Sequence, residues 1–449
     1  MFATNTRRCL TFFLLVLSLL VLFLVLLDKR ATDQIRQLHA YVTSFRASTS
    51  LGHLPRPFLN ATPNDTTAAM LFSHAWRYLQ HGVNNTANPK LTSLGFEPTD
   101  LHEFKSPYII TPKIYPHPDA GEGRKEEGSS RKVKTVSCFN CPQWFKNHPL
   151  NRQNANFEAC PYQHCKLDLS GRQKATADMV IFFVGQLGNR KPPPRAMGQI
   201  WVMAFWESPV HYSYPSGYSE WRSVFNWTFT YRTDSDIFAP GNRLAWRDRS
   251  QLLSPADYLD IAKKKTRTAA WWVSNCSPYS KRLDYARELQ KHIDVDIYGA
   301  CGPLKCSKHQ QQHCSQMLNT TYKFYLGFEN SFCQDYVTEK LFRNFENRAH
   351  IIPVVRGGLD YDRYLPPNVL VNTAHFKTPA LLAAHLKQLG SDPERYASML
   401  REKDKLVALG WKFDWCDVCE KLHTDTQTKN IPDIKQWSHE HTCYTPTDV

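Results

Sequence analysis

The sequence predicts an α/β protein in which two domains built on parallel sheets follow an amino-terminal membrane anchor. The chain has 449 residues, which is enough for two domains. Two segments, residues 268–298 and 322–355, each have the order strand, loop, helix, strand that builds a parallel sheet. An uncharged apolar run at residues 10–27 is long enough to cross a membrane. Length, strand–helix alternation and this run together predict the architecture.

The apolar run is predicted to be a retained anchor, not a cleaved signal peptide. No small-x-small cleavage site follows residues 10–27, and basic residues on both sides leave the orientation open. Twelve of the 13 cysteines follow the run, as do all the Asn-X-Ser/Thr sequons. Both facts indicate an oxidising, glycosylating lumen, so residues 1–9 are predicted to be cytosolic. The sequons begin at Asn60, Asn64, Asn84, Asn226, Asn275 and Asn319.

Composition divides the rest of the chain. Residues 28–134 are rich in Pro, Asn, Thr, Ser and His, which predicts a stem that holds the globular part away from the membrane. A first domain is predicted at 135–262 and a second at 263–449. The polar segment 248–265 between them ends in three lysines. In a lumenal chain, so short a basic run favours a solvated hinge over a nucleic-acid site.

A carboxylate follows a buried strand of the first domain. Strands are predicted at 179–184 and 200–205, and the second of them ends in the sequence FWESP. Glu207 at the strand tip, before a proline-enforced turn, is expected to point into the crevice above the sheet. The pattern alone leaves two readings open: a general base, or a rim carboxylate that makes a structural hydrogen bond.

The second domain opens with a strand at 268–273, a helix at 279–292 and a strand at 295–298. Ser274 and Asn275 directly follow the first strand. Arg282 lies in the first helical turn, where a guanidinium can bind a pyrophosphate through two hydrogen bonds. A lone arginine at such a position is also common as a plain surface residue.

The central stretch of the second domain has the strongest pattern. Strands are predicted at 322–328 and 351–355, and a helix at 336–347 with Asp335 as its N-cap. On a helical wheel the predicted core-facing side chains are Val337, Leu341 and Phe345, and the opposite face carries Tyr336, Glu339, Lys340 and Arg343.

A ligand in such a sheet binds beyond the carboxyl ends of the strands. That position holds Glu329, Asn330 and Ser331 in the loop, followed by Tyr336, Glu339 and Lys340 in the first helical turns. Lys340 and free backbone N–H groups suit a diphosphate, and Asn330 and Glu339 suit sugar hydroxyls. An ordinary amphipathic helix with a solvated charged face is an equally good reading of the same pattern.

Two cysteine pairs and two aspartates have spacings typical of metal sites. Cys138 and Cys141, like Cys416 and Cys419, have zinc-site spacing, but disulfides are favoured in a lumenal protein. Asp234-Ser235-Asp236 has the form of an Asp-x-Asp clamp for Mg²⁺ or Mn²⁺. Beyond residue 360 the chain is predicted to be mostly helical, with helices at 378–389 and 393–409.

Residues 328–341, FENSFCQDYVTEKL, followed by IIPVVRGG, closely resemble the donor-site motif of the α1,3-fucosyltransferases. That resemblance implies two Rossmann-like domains facing across a cleft, the GT-B architecture, with GDP-fucose as the donor. It covers roughly residues 160–443, and residues 1–134 carry no family motif. FWESP is similar to the family segment whose Glu is the base, which implies that role for Glu207.

Other segments extend the resemblance. The VSNC…R pattern implies donor-binding roles for Ser274, Asn275 and Arg282, with Asn275 buried and a poor glycan acceptor despite its sequon. Residues 225–240 resemble a family segment that is not a metal site, which argues against the clamp. The final cysteine pair resembles the family's carboxyl-terminal pair and implies that the tail packs back on the first domain.

The activity implied by the resemblance is inverting transfer of L-fucose to the 3-hydroxyl of N-acetylglucosamine in glycoprotein or glycolipid glycans. Arg282 and Lys340 would hold the diphosphate, and Asn330, Tyr336 and Glu339 would orient fucose and nucleotide. No metal or other cofactor is expected to be required. The net charge of +14 at pH 7 suits an anionic donor in a general way.

The expected setting is the Golgi membrane, as a single-pass type II protein with a lumenal catalytic part, possible homodimer formation and no nucleic-acid partner. The sequence leaves the acceptor open between the N-glycan chitobiose core and antennal units. Two other hypotheses are a glycan-binding homologue without turnover and a transferase that uses a different nucleotide sugar.

Overall fold

The computed structural model describes residues 104–110, 132–152, 157, 160, 162–212, 218–306, 311–346, 348–411, 415–426 and 429–449. All of these lie in one compact unit, Phe96–Val449. The predicted anchor and most of the predicted stem are outside the described residues. Among those that are described, no helix combines the length and apolar character that crossing a bilayer requires.

The strands are numbered in chain order. They are β1 Ile109–Ile110, β2 Lys134–Cys138, β3 Cys165–Asp168, β4 Met179–Phe183, β5 Ile200–Phe205, β6 Trp227–Thr230, β7 Ile237–Phe238, β8 Asn242–Trp246, β9 Arg267–Trp272, β10 Val295–Tyr298, β11 Tyr322–Phe328, β12 Phe332–Cys333, β13 Ile352–Arg356, β14 Val371–Asn372, β15 Leu406–Trp411 and β16 Cys443–Tyr444.

The helices are numbered in the same way. They are α1 Gln143–Lys146, α2 Pro149–Arg152, α3 Pro255–Lys264, α4 Arg282–Gln290, α5 Gln311–Thr321, α6 Glu339–Phe342, α7 Tyr361–Tyr364, α8 Pro379–Ser391, α9 Pro393–Asp404, α10 Trp415–Thr424 and α11 Ile434–Ser438.

Two parallel sheets dominate the described part of the chain. The first has the strand order β3-β2-β4-β5-β6-β7 and the second β10-β9-β11-β13-β14. Counted within each sheet, both begin with the order 2-1-3-4-5, the doubly wound arrangement in which ligands bind beyond the carboxyl ends of the strands. The predicted α/β class with parallel sheets is therefore confirmed.

The central strands form because their sequences are continuous apolar runs buried on both faces. Every residue of β4 and β13 is buried, as expected for parallel strands covered by helices. Strands β5, β10 and β11 have their predicted bounds, and the neighbouring predicted strands differ from the observed ones by one residue. Strong local apolar signals thus located the sheets.

Three helix predictions at the carboxyl side need correction. The helix predicted at 393–409 ends at Asp404, and residues 406–411 form β15, which pairs antiparallel with β8. Pairing with a distant strand overrides helical propensity there. The helix predicted at 279–292 is α4, which is shorter at both ends, and the one at 378–389 is α8, which extends to Ser391.

The predicted helix at 336–347 is wrong in its extent and its cap. Only Glu339–Phe342 is α-helical, and a 3-10 turn follows at Arg343–Phe345. Asp335 has a left-handed backbone (φ 59°), and its carboxylate accepts hydrogen bonds from Thr233 N and Oγ1 at 3.0 and 2.7 Å. Thr338 is the N-cap. Contacts with a segment about a hundred residues away therefore set this boundary.

The segment predicted to be a solvated hinge, 248–265, is partly helical, and its last lysine is not solvated. It contains α3, whose N-terminus is closed by a capping box between Ser254 and Asp257. Lys265 is buried, and its ammonium donates to the carbonyl oxygens of Asn319 and Tyr322 at 2.6 and 2.8 Å. Of the three lysines, Lys263 and Lys264 are solvated as expected.

As predicted, the cysteines that have zinc-like spacing form disulfides. The carboxyl-terminal helix α10 packs on the core of the first sheet through Trp415, Val418 and Leu422. It is linked there covalently to segments about 250 residues earlier in the chain. Within the described residues the pairs are Cys138–Cys141, Cys160–Cys416, Cys165–Cys419, Cys276–Cys301, Cys306–Cys314 and Cys333–Cys443.

Candidate active site

Glu207 lies where the carboxyl edges of the two parallel sheets meet. It follows β5, is exposed, and its Oε1 accepts hydrogen bonds from the Tyr336 hydroxyl at 2.6 Å and from Asn330 Nδ2 at 3.3 Å. Beside it, the buried Ser208 hydroxyl donates to Ser331 Oγ at 2.8 Å. A first-sheet carboxylate is thus held by second-sheet residues more than 120 positions away in sequence.

Tyr336 faces Glu207 and not solvent, contrary to its predicted place on the outer helical face. The side chain is buried, and its ring packs edge-on against Tyr231 at 5.1 Å between centroids. Burial raises the pKa of Tyr336 well above its usual value, and the negative charges of Glu207 and Glu329 add to this effect. The phenol therefore stays protonated and serves as a fixed donor to Glu207.

Arg282 is the first residue of α4 and is buried, which rules out the plain surface reading. Its guanidinium donates to the carbonyl oxygens of Phe328 (2.9 Å) and Asn275 (3.3 Å) and lies 5.8 Å from the Trp271 ring. Its Nε is buried with no hydrogen-bond partner among the described residues. Desolvation lowers the pKa of Arg282, but an arginine stays charged at neutral pH.

Lys340 lies in a cluster of carboxylate and hydroxyl oxygens. Its Nζ is 2.7 Å from Thr338 Oγ1, 3.3 Å from Glu329 Oε2 and 3.2 Å from Glu339 Oε1, and its side chain is 20% exposed. Burial acts to lower the pKa of Lys340, but Glu329 and Glu339 outweigh it, so the pKa rises. The ammonium therefore stays charged at neutral pH, and the Lys340 side chain as a whole is partly exposed.

Glu339 is the exposed partner in this cluster, with a side chain 54% exposed. Burial acts to raise the pKa of Glu339, whereas Lys340 and Arg343 lower it and prevail. The carboxylate is therefore ionised and available to hydroxyl groups. Its solvated position agrees with the predicted outer face of the helix.

The loop after β9 differs from the prediction. Ser274 and Asn275 are both exposed, so the expectation that Asn275 is buried is wrong. The Asn275 side chain accepts a hydrogen bond from Ser277 N at 3.3 Å, and the Cys276–Cys301 disulfide fixes the loop. A residue just beyond a strand lies in a loop outside the sheet. Its burial depends on which other segments cover that loop, and the local sequence does not specify them.

The sequence placed Glu329 in the ligand loop, directly after a buried strand, but indicated no specific role for it. Its side chain is fully buried and accepts hydrogen bonds from Thr338 N and Oγ1, each at 2.8 Å. A Cβ on Gly357 would approach Glu329 Cγ to 2.9 Å and the Tyr361 hydroxyl to 2.8 Å, so only glycine fits there. An acidic residue at the end of an apolar strand was the available signal.

Several buried polar groups at this edge have spare hydrogen-bonding capacity. Arg356, at the end of β13, donates to the carbonyl oxygen of Ser280 at 2.6 Å and to Asp448 at 3.1 Å, and lies 4.5 Å from the Tyr285 ring. Buried polar atoms normally have partners, so unpartnered ones around a sheet edge indicate room for a polar ligand. Among the described residues, the unpartnered atoms here are Ser280 Oγ, Arg282 Nε, Tyr285 OH and Tyr361 OH.

The aspartates of the Asp-x-Asp sequence make structural contacts. Asp234 binds Arg232 through both oxygens, at 2.9 and 2.6 Å. Asp236 accepts from Thr228 N and Oγ1 at 3.0 Å and binds Lys429 at 2.9 Å. Each carboxylate is thus already neutralised by a cation of this chain.

The arrangement pairs one exposed carboxylate with two cations, Arg282 and Lys340, on the facing sheet edge. A carboxylate that a hydroxyl can reach suits proton removal. Fixed cations with spare donor capacity suit a leaving group that gains negative charge. The site is therefore equipped for displacement of an anionic leaving group by a hydroxyl nucleophile.

Two family models match most of the described chain. The model described as glycosyltransferase family 10 (fucosyltransferase) C-term matches residues 262–437, and the model described as fucosyltransferase, N-terminal, matches residues 135–241. Together they include Glu207 and the second-sheet residues Arg282, Asn330, Tyr336 and Lys340.

Similar proteins include glycoprotein 3-alpha-L-fucosyltransferase A of Drosophila melanogaster, 34% identical over 344 residues that span 73% of this chain and 67% of that protein. A human 3-galactosyl-N-acetylglucosaminide 4-alpha-L-fucosyltransferase is 35% identical over 285 residues, 61% of this chain and 74% of that protein. A crystal structure of an alpha1,3-fucosyltransferase with GDP-fucose overlaps at a TM-score of 0.42 and 16% identity, over 69% of this chain and 96% of that chain.

Proposed function

Because this chain belongs to the glycosyltransferase family 10 fucosyltransferases, we propose that it transfers L-fucose from GDP-fucose to the 3-hydroxyl of N-acetylglucosamine, with inversion at the anomeric carbon. The observation that carries the proposal is Glu207 on the first sheet edge, held by Tyr336 and Asn330 of the edge that carries Arg282 and Lys340.

The proposed step is a single displacement. The Glu207 carboxylate takes the proton of the acceptor hydroxyl, whose oxygen attacks the anomeric carbon of fucose. The bond from that carbon to the diphosphate oxygen breaks on the opposite face, and GDP leaves with the electron pair. One base is enough for this step because the two reactants are held in the correct orientation and GDP is a good leaving group.

The charge that develops on the diphosphate is assigned to Arg282 and Lys340. Support comes from the unpartnered Arg282 Nε and from the charge of the partly exposed Lys340. Asn330, Tyr336 and Glu339 are assigned to orientation of fucose and nucleotide, and Ser274 and Asn275 to the exposed donor-side loop. In this scheme the side chains of Arg282 and Lys340 supply the positive charge that a divalent metal provides in other transferases.

We place the enzyme in the Golgi membrane, anchored through residues 10–27 with residues 28–134 as stem and the catalytic part in the lumen. Support comes from the cysteines: each one within the described ranges is disulfide-bonded, which fits an oxidising compartment. Anchor, stem and compartment are tested by protease protection and glycosidase sensitivity of the chain in microsomes.

The test of function is an acceptor screen of the full chain with GDP-fucose. Matched acceptors are an N-glycan with a free chitobiose core, an antennal lactosamine glycan, and the same glycans blocked at the 3-hydroxyl. The expected product carries one fucose on the 3-oxygen of N-acetylglucosamine, located by mass spectrometry and NMR.

The screen also separates the remaining alternatives. Product on only one unblocked acceptor decides between core and antennal transfer. A glycan-binding homologue without turnover would bind an acceptor but release no GDP in the presence of GDP-fucose. Faster turnover with GDP-mannose or a UDP-sugar would overturn the choice of donor.

A further inference from the structure

The helix that carries Glu339 and Lys340 is too short to hold its own shape. Helix α6 spans only Glu339–Phe342. Isolated helices below about 12 residues are marginal in water because nucleation is unfavourable. The positions of Glu339 and Lys340, which matter only if the proposed function is right, must therefore be fixed by contacts from outside the helix.

The amino end is fixed by a buried carboxylate. Glu329 accepts hydrogen bonds from Thr338 N and Oγ1, and Thr338 Oγ1 in turn accepts from Lys340 Nζ at 2.7 Å. Lys340 Nζ also lies 3.3 Å from Glu329 Oε2. One carboxylate thus holds both the N-cap residue and the cation that α6 presents.

The carboxyl end is fixed by a buried amide. Asn344 is 2% exposed, and its Nδ2 donates to the carbonyl oxygens of Lys340 and Leu341 at 2.8 and 2.9 Å. Both carbonyls belong to the last turn of the helix, where the Leu341 oxygen also accepts from the backbone N–H of Arg343. Asn344 therefore closes α6 and ties it to the segment that follows.

That segment is held by a buried ammonium on another helix. Lys403 in α9 is 1% exposed, and its Nζ donates to the carbonyl oxygen of Asn344 at 2.5 Å and to that of Ala349. The Nζ also lies 5.3 Å from the ring of Phe345. The same ammonium thus joins both ends of residues 344–349.

We propose that Lys403 is a positioning residue of the donor site: by fixing the Asn344 and Ala349 carbonyls it holds α6, and so Lys340, in the geometry that binds the donor diphosphate. Burying an ammonium is unfavourable unless it is fully hydrogen-bonded, so a methionine of similar length would fill this volume more easily. The two carbonyl contacts are what the lysine adds. Consistent with that burial, desolvation lowers the pKa of Lys403 to about 7.

The chain offers a matched control. Lys265 is also buried (4% exposed), donates to two carbonyl oxygens, and has a pKa that desolvation lowers to about 7. Its acceptors, Asn319 and Tyr322, lie at the amino end of β11, the end of the sheet opposite to α6. Lys265→Met therefore removes the same kind of buried contact, and a positive charge that acts on the same region as Lys403, while the contacts of Lys403 with Asn344 and Ala349 stay in place.

The experiment compares full-chain Lys403→Met and Lys265→Met with the wild type. Both variants are expected to unfold at lower denaturant concentrations. Only Lys403→Met should weaken GDP binding in calorimetry and raise the KM for GDP-fucose, each about tenfold or more, because small misplacements of binding groups have large effects. The KM for the acceptor should stay at the wild-type value in both. Equal GDP affinity in the two variants would overturn the proposal.

A second variant covers the case in which Lys403→Met does not fold. Asn344→Ala keeps the backbone carbonyl that Lys403 binds but removes the amide that holds Lys340 and Leu341. It should show the same selective loss of GDP affinity, and wild-type affinity would refute the link to α6. Lys340→Ala separates the two proposals: unchanged GDP binding there refutes the donor-site assignment itself, whereas loss there with none in Asn344→Ala refutes only the positioning role.

Discussion

The two sheet edges that meet at Glu207 are built in opposite ways. The first presents one exposed carboxylate whose side-chain donors, Tyr336 and Asn330, come from the other sheet, in addition to the backbone N–H of Ser208 beside it. The second presents charges, Arg282 and Lys340, that are held by residues of their own sheet and are mostly buried. A base must be reachable by a glycan hydroxyl, whereas cations that stabilise developing charge work best when they are fixed and partly desolvated. The difference therefore fits the division between acceptor and donor in the proposed reaction.

The largest expected effect comes from removal of the first edge's only proposed reactive group. Glu207→Gln should lower turnover by roughly 10²–10⁴-fold, because an amide cannot take the acceptor proton. GDP affinity by calorimetry should stay close to the wild-type value. Asp234→Asn, a first-sheet carboxylate bound to Arg232, is the control and should keep its turnover. Wild-type turnover in Glu207→Gln would show that the base is elsewhere.

On the second edge, Lys340→Ala should weaken GDP binding by roughly 10- to 100-fold, the usual range for loss of a charged hydrogen bond. The matched control is Arg343→Ala, which removes a nearby cation whose side chain is 40% exposed and contacts Tyr325 and Glu339. Calorimetry with GDP should separate the two variants. Similar losses in both would mean that general positive potential, and not a specific contact, binds the diphosphate.

The bond that joins the two edges should matter less than either group. Tyr336→Phe removes the donor at 2.6 Å from Glu207 and should lower turnover by about tenfold, in line with one hydrogen bond to a charged group. In the Glu207→Gln background the same change should have a much smaller effect, because the partner charge is already gone. If the two effects multiply fully, Tyr336 acts independently of Glu207.

The smallest expected effect is on stability. It is expected from His350, which lies two residues before β13 of the second sheet. His350 Nε2 is buried and has no partner among the described residues. Desolvation lowers the pKa of His350 to about 4; Asp404 opposes this, while Lys403, Lys265 and Arg348 reinforce it. An unfolded histidine binds its proton near pH 6.5, so between pH 6.5 and 4 the unfolded chain holds the extra proton. The free energy of unfolding should then fall as pH decreases, by up to about 1.4 kcal/mol per pH unit.

Urea unfolding of the wild type and of His350→Gln at pH 6.5 and pH 5 measures this slope. The variant should show a flatter pH dependence than the wild type. An identical slope in His350→Gln would assign the acid sensitivity to another group.

Much of the candidate site could be located from sequence because its residues follow strands that have strong local signals. Glu207 lies two residues after the end of β5 and Asn330 two residues after the end of β11, and both of those strands have their predicted bounds. Their contact could be expected only in outline. The 3.3 Å between Asn330 Nδ2 and Glu207 Oε1 depends on how two sheets dock over a separation of 123 residues.

Other features could not be predicted because distant groups decide them. The helix expected at 336–347 is interrupted where Asp335 turns to bind Thr233 and where Tyr336 turns inward to Glu207. Lys265 was expected in solvent and is buried against two carbonyl oxygens. In each case a polar side chain satisfies a backbone or carboxylate group that becomes its neighbour only after folding.

The sequence by itself determined the parallel strands, the disulfide use of the cysteines and the identity of the donor-site motif, because apolar runs, spacing and composition are local properties of a chain. Only the tertiary structure decided that Glu329, Asn344 and Lys403 surround the one-turn helix that carries Lys340. Hydrogen bonds between such distant residues form after the sheets and helices have packed, since burial without a partner is unfavourable for each of these groups.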